Sequence, residues 1–358
     1  MNKLYTHRLF FLFFIFLSNQ SIANDYKIAF GSCLDQELPQ PIWKTIEGES
    51  IDSFIFLGDN VYGDSVDGKL DKMKLAYNKQ EKMIPSWLKE KDLFYIWDDH
   101  DYGVNDGGLE YKYKKEAQQL YLDFWNSKKD DKRRSQEGTY FNSIINIDDL
   151  KLNIIGLDTR YFRSSTKNRQ DGYEPLDKEN ITMLGKDQWI WLYDALLNEA
   201  DLIILLSSVQ VLPTVHQFEK WEIFPNERVK LLNALENIKT KTIILSGDRH
   251  RAGIYEYRDI VEITSSSLNK AIADSWYEKL ILNLMPNKIE TEVQILRLLS
   301  NTPLLLKSVI TPCLIYATLL TLKSFVIVLF VTVILLLNDA SFNTNKCSFI
   351  LTSLLYTD

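Results

Sequence analysis

An α/β fold built on largely parallel strands is predicted by three features of the sequence. Six short apolar runs are continuous rather than alternating, as in strands buried on both faces. Helical patterns separate them, and strand–helix alternation gives parallel pairing through crossover helices. Each apolar run stops at a cluster of small or acidic residues, and α/β sheets place their ligand crevices outside the carboxyl ends of the strands.

The runs, in order, are Tyr26–Phe30, ending at Gly31-Ser32-Cys33; Ser53–Leu57, ending at Gly58-Asp59-Asn60; and Leu93–Trp97, ending at Asp98-Asp99. Then come Leu152–Leu157, ending at Asp158; Asp201–Leu206, ending at Ser207-Ser208; and Thr242–Leu245, ending at Ser246-Gly247-Asp248. Helical spacing is read over Lys69–Leu88, Tyr111–Asn126 (with Ala117, Leu120, Tyr121 and Phe124 on one face), Lys186–Asn198 and Asn226–Asn237. If the strands share a sheet edge, their polar ends converge on one site although they are far apart in sequence.

The 358 residues suffice for one large domain or two small ones, and the 46% apolar and 25% charged fractions are those of a globular chain. A net charge of −7 argues against a nucleic-acid partner held by backbone electrostatics, but not against anionic substrates, because cations can invert a local field. The three cysteines (Cys33, Cys313, Cys347) imply no disulfide framework. With four histidines in the chain, a cation site must lean on Asp, Asn, Tyr or Cys. Lys3, His7 and Arg8, the apolar run Leu9–Leu17 and Ser21-Ile22-Ala23 make residues 1–23 a secretory signal, with an N-terminal membrane anchor as the alternative. The expected location is therefore exported: periplasmic or secreted.

Three segments carry the chemistry. In Gly58-Asp59-Asn60-Val61-Tyr62-Gly63-Asp64 a strand-end carboxylate can bridge two cations, and Tyr62 can swing back as a hard phenolate ligand. In Trp97-Asp98-Asp99-His100-Asp101, three carboxylates in four residues repel unless cations neutralise them, and His100 has a pKa suited to acid–base work. In Gly247-Asp248-Arg249-His250 the Asp and His can face one side of an extended turn. Cys33 stands out by its strand-end position alone, since a lone cysteine is more often a small core residue. Arg160 and Arg163 suit either a phosphate clamp or a buried ion pair. Asn60 is a candidate substrate contact, and His216 is either a substrate contact or a surface residue.

Together GSC (31–33), LGDNVYGD (57–64), WDDHDYGVND (97–106), LDTRYFR (157–163), SSVQVLP (207–213), SGDRH (246–250) and EITSSSLN (262–269) resemble the alkaline phosphatase D, or PhoD-like, family of the metallophosphoesterase superfamily, over roughly residues 26–270. The resemblance implies a four-layer αββα sandwich over residues 24–280. It implies Fe3+ and Ca2+ as cofactors, other divalent metals being open. Cys33, Asp59, Tyr62 and His250 would bind iron, and Asp59, Asp99, Asn105 and Asp248 would hold calcium. His100 would protonate the leaving group and Arg160 would clamp the phosphate. The expected activity is hydrolysis of small phosphate mono- or diesters by a metal-activated oxide or hydroxide; a non-catalytic metal- or phosphate-binding relative is the alternative, and sulfate-ester hydrolysis a third.

Beyond about residue 275 the resemblance ends, and no closing strand for the sheet is identified. Residues 281–358 form a divergent tail. Residues 313–337 are apolar enough to span a bilayer as a membrane anchor; the alternatives are an aberrant tail from a shifted reading frame and buried core.

Overall fold

The computed structural model describes residues 25–166, 168–169 and 172–271 and, as backbone alone, six strands within 291–333. The strands are β1 (Asp25–Gly31), β2 (Ser53–Leu57), β3 (Asp92–Ile96), β4 (Phe141–Ile147), β5 (Leu150–Gly156), β6 (Asn168–Arg169), β7 (Gly172–Tyr173), β8 (Leu202–Ser207), β9 (Lys241–Ser246), β10 (Ala252–Tyr257) and β11 (Ile260–Ser265). The helices are α1 (Ile42–Gly48), α2 (Asp71–Met83), α3 (Asp99–Tyr102), α4 (Lys114–Phe124), α5 (Gly185–Leu196) and α6 (Pro225–Glu236).

The six predicted strands are β1, β2, β3, β5, β8 and β9, divided between two sheets. One sheet runs β3-β2-β1 in parallel. The other runs β4-β5-β8-β9-β11-β10, with a parallel centre and an antiparallel strand at each edge. The first sheet is continued by β12 (Thr291–Leu299), which pairs antiparallel with β1 from Asp25↔Leu299 to Phe30↔Gln294. It stands where the sequence alone identified no closing strand.

Because strand side chains alternate in direction, each buried strand feeds two cores. Ala29, Phe54, Phe56, Tyr95 and Trp97 face α1, α2 and α4. Their neighbours Ile28, Phe30, Ile55, Leu57 and Ile96 meet Ile154, Ile204, Leu206, Ile243, Leu245 and Ile263 of the second sheet. On that sheet's far face, Ile155, Ile203, Leu205 and Ile244 pack on α5 and α6 through Trp189, Leu192, Leu231 and Leu235. Three stacked cores make four layers, the αββα sandwich.

The long helix expected over Lys69–Leu88 is divided. Pro85 disfavours a helical residue before it, so Ile84 is extended (ψ 120°) and a separate 3-10 turn follows over Ser86–Glu90. The expected signal segment 1–23 lies outside the described residues. Of the expected anchor 313–337, the described parts are short strands, Leu314–Tyr316, Leu319–Leu322, Phe325–Val328 and Thr332–Val333. Among the described residues no helix is long and apolar enough to cross a membrane.

Candidate metal centre

The carboxyl ends of β1, β2, β3, β5, β8, β9 and β11 meet at one edge of the sandwich. Cys33 N donates to Gly58 O (3.3 Å), Leu34 N to Asp59 O (2.8 Å), Ser32 N to Ser265 O (3.0 Å) and Gly247 N to Ser208 O (3.1 Å). This close approach demands glycine at two turns. A Cβ on Gly58 (φ +102°) would lie 2.6 Å from Asp98 Cβ, and one on Gly247 would lie 2.6 Å from Ser32 Oγ. Of nine described non-glycine residues with positive φ, five are at this edge: Cys33, Asp59, Asp106, Asp248 and His250. Such backbone costs of order 1–3 kcal/mol per residue and concentrates at functional sites.

Asp59 stands at the centre. Cys33 Sγ (3.4 Å) and Tyr62 OH (3.2 Å) both donate to its Oδ2. Its Oδ1 is buried with no hydrogen-bond partner among the described residues, as is Asp98 Oδ2. Asp59 shares a donor-atom cluster no wider than 4.8 Å with Cys33 and His250, another with Asp99 and His100, and a third with Asp98, Asp99 and Asp248. Asp99, Asp106 and Glu219 form a fourth. Burial, then the nearby Cys33, raises the Asp59 carboxyl well above the ordinary range. Burial, then Asp98, does the same to Asp248. Burial and Asp59 raise the Tyr62 phenol. The orphaned carboxylate oxygens at the meeting point of these clusters fit cations that satisfy and neutralise them.

His100 Nδ1 lies 2.6 Å from Asp64 Oδ1, which fixes the ring and leaves Nε2 available. Burial works against a proton on His100, but Asp99, Asp59 and Asp64 outweigh it and lift the pKa to about 11. His250 Nδ1 lies 2.5 Å from the Lys270 carbonyl, which likewise leaves its Nε2 for a ligand.

Cys33, Asp59, Tyr62, Asp99, Asp248 and His250 are thus brought together, with His100 beside them. Five other candidates are placed differently. Arg160 is fully buried, with Nε 2.5 Å from Asp98 Oδ1 and Nη1 2.7 Å from Glu219 Oε2. Arg163 also pairs with Glu219 and donates to the Asp106 and Gly107 carbonyls. Of the two readings of these arginines, the buried ion pair is the one formed, and Arg160 Nη2 also lies 4.0 Å from Asp99 Oδ1. Asn60 is a buried brace: its Nδ2 donates to Ile96 O and Asp101 Oδ2, both at 3.1 Å. Asn105 is exposed, and its neighbour Asp106 turns in. There burial, Glu219 and Asp99 raise the Asp106 carboxyl to about 7, and Tyr173 OH donates to it at 2.5 Å. His216 is half-buried on a separate loop, where Nδ1 accepts from Phe218 N (3.2 Å).

Sequence reasoning assigned no ligand role to Asp98, Asp106 or Glu219. Asp98 and Asp106 lie inside the quoted acidic motif, so their signal was present. Glu219 has no motif; its pairing with two arginines is a tertiary event.

A sandwich of this topology with cation-ready carboxylates at its strand ends defines a metallophosphoesterase. The chain belongs to the PhoD-like phosphatase family, whose profile matches residues 72–280, more than half of it. Among solved structures it is similar to GAP50, the anchor in the inner membrane complex of Plasmodium, at 14% identity and a TM-score of 0.51, over 80% of this chain and 85% of that one. It aligns more loosely with a 5'-nucleotidase from Candida albicans: 13% identity, TM-score 0.39, 76% of this chain and 48% of that one. A second profile, homoserine O-succinyltransferase, matches residues 248–316. Curated relatives of that name are 96% identical over 24 residues in Alteromonas mediterranea and 54% identical over 54 residues in Shewanella oneidensis. These stretches are 7% and 15% of this chain, and the chain spans 8% and 17% of those relatives' length.

Proposed function

We propose that this chain is an exported phosphoesterase that hydrolyses small phosphate mono- or diesters with bound cations. The observation that carries the reading is the pair of buried, unpartnered carboxylate oxygens, Asp59 Oδ1 and Asp98 Oδ2, where strand ends from both sheets converge. Cys33, Tyr62 and His250 with Asp59 would hold one cation, and their thiolate, phenolate and imidazole donors suit ferric iron. Asp98, Asp99 and Asp248, again with Asp59, offer an all-oxygen set suited to calcium or another hard divalent ion. Bound cations supply charge neutralisation for the phosphoryl oxygens and acidify a water nucleophile.

The chain's own groups do the rest. His100, held by Asp64, hands a proton to the departing oxygen. Arg160 and Arg163 with Glu219 keep Asp98 and Asp99 in place and balance their charge from behind. The test is to purify the full-length protein, measure bound metals, and assay chromogenic mono- and diesters before and after chelation. Turnover that disappears on chelation and returns with metal supports the enzyme; a fully loaded protein without turnover favours a metal-binding relative.

Export rests on the basic and apolar start of the chain, and is tested by the N-terminal residue of the protein recovered outside the cytoplasm. For the tail, the readings are a membrane anchor over 313–337 and an aberrant segment, and the likeness to homoserine O-succinyltransferase ends at residue 316, before most of that stretch. Membrane fractionation of the full-length protein separates these two readings.

A further inference from the structure

The segment leaving β11, Ser265 to Lys270, contains none of the candidate ligands, yet it encloses the Cys33–Tyr62–His250 end of the centre. Its backbone is tied to the cysteine loop: Leu268 N donates to Ser32 O (2.9 Å) and Asn269 N to Cys33 O (3.4 Å). The Asn269 side chain accepts from Asp35 N (2.7 Å) and donates to Asp35 O (2.8 Å). The segment therefore keeps a fixed place relative to Cys33.

Two of its side chains meet ligands directly. Ser266 Oγ lies 3.2 Å from Cys33 Sγ and accepts from His250 N at 2.9 Å. Cysteine binds a cation as thiolate, which has no proton to give. With the serine oxygen already accepting from the His250 amide, its own proton points to sulfur. One hydroxyl thereby ties two ligands together. The Lys270 ammonium stands 3.3 Å from the centroid of the Tyr62 ring and 2.8 Å from Asp35 Oδ2, while the Lys270 carbonyl takes the His250 Nδ1 bond.

We infer that Ser266 and Lys270 are positioning residues that draw electron density from the Cys33 thiolate and the Tyr62 phenolate and so tune the cation these ligands hold. The inference rests on the reading that Cys33 and Tyr62 are ligands. An O–H···S bond and a cation over an aromatic face both stabilise negative charge on the donor, and hydrogen bonds to sulfur are a recognised control of metal-site electronics.

Cobalt(II) added to the cation-stripped full-length protein reports on the sulfur through the thiolate-to-metal absorption band, and ferric iron reports on the phenolate. Ser266→Ala is expected to shift the cobalt band to lower energy and weaken cobalt affinity by roughly 10- to 100-fold, the usual scale for a lost outer-shell partner. Ser266→Thr, which keeps the hydroxyl, should restore both. Lys270→Met keeps the backbone carbonyl and removes a partly exposed ammonium, so it tests the inference without altering the core. It should shift the ferric phenolate band to lower energy, and Lys270→Arg should not. Bands unmoved in both variants, each with wild-type circular dichroism, overturn the inference. If the wild-type protein shows no cobalt band that Cys33→Ser abolishes, the ligand assignment itself has failed.

Discussion

Asp101, in helix α3, and Asp59, in the turn after β2, are both fully buried, but their oxygens have different surroundings. Asp101 accepts from Asn60 N (2.9 Å), Val61 N (3.1 Å), Asn60 Nδ2 (3.1 Å) and Asp98 N (3.1 Å), so both of its oxygens are occupied. Asp59 accepts two donors on Oδ2 and none on Oδ1. Asp158 belongs with Asp101: it accepts from Thr139, Arg160 and Tyr161 backbone amides at 2.7–2.9 Å. Asp98, with one unpartnered oxygen, belongs with Asp59. Hydrogen-bond completeness thus separates Asp101 and Asp158, which build the loops, from Asp59 and Asp98, whose free oxygens suit cations; Asp99 accepts from His100 N and Asp106 N on its two oxygens and joins the second pair by cluster geometry alone.

The largest predicted effect tests that division. Asp59→Asn should lower phosphoester turnover by roughly a thousandfold or more, the scale for losing a central electrostatic element. In the cation-free protein the same change should raise the melting temperature, because a buried, incompletely partnered charge is removed. A fall in cation-free stability would place Asp59 among the structural acids. Asp101→Asn is the converse case. An amide cannot accept on its nitrogen, so backbone donors are orphaned, and denaturant titration should show a loss of about 2–4 kcal/mol with or without cations.

A smaller contrast lies one residue apart. Asp106→Ala should reduce metal affinity or turnover by about tenfold, whereas Asn105→Ala should change stability by less than about 0.5 kcal/mol and leave turnover intact. The reverse result would return Asn105 to the ligand set. The smallest effect concerns His216, whose pKa is lowered to about 3 from 6.5 by burial and by Arg249, Lys220 and Arg251. A depressed folded-state pKa means its contribution is present above pH 6.5 and lost as pH falls toward 3. His216→Gln should therefore flatten the stability profile across that window relative to wild type.

The strands, and the acidic and cysteine strand ends that converge, were legible because both are written in local pattern; the ligand roles came from the family resemblance. Continuous apolar runs mark doubly buried strands, and the small or acidic residue after each run marks a crevice. Cys33, Asp59, Asp99, Asp248 and His250 needed only those strand ends to share an edge. The two-sheet arrangement was not in the periodicity; the family resemblance supplied it. Arg160 was ambiguous because its direction is set by Glu219, distant in sequence and without a motif. Asn105 and Asp106 differ by one residue of phase in an irregular turn, where positive φ at Asp106 decides which side chain points inward. Helix α1 has seven residues, too few to display a period.

Anomalous scattering from crystals of the metal-loaded protein shows whether Asp59 bridges two cations. At least two metal peaks that share Asp59 are expected, one beside Cys33, Tyr62 and His250 and another beside Asp98, Asp99 and Asp248. Metal bound elsewhere, with the Asp59 carboxylate uncoordinated, would contradict that bridging role.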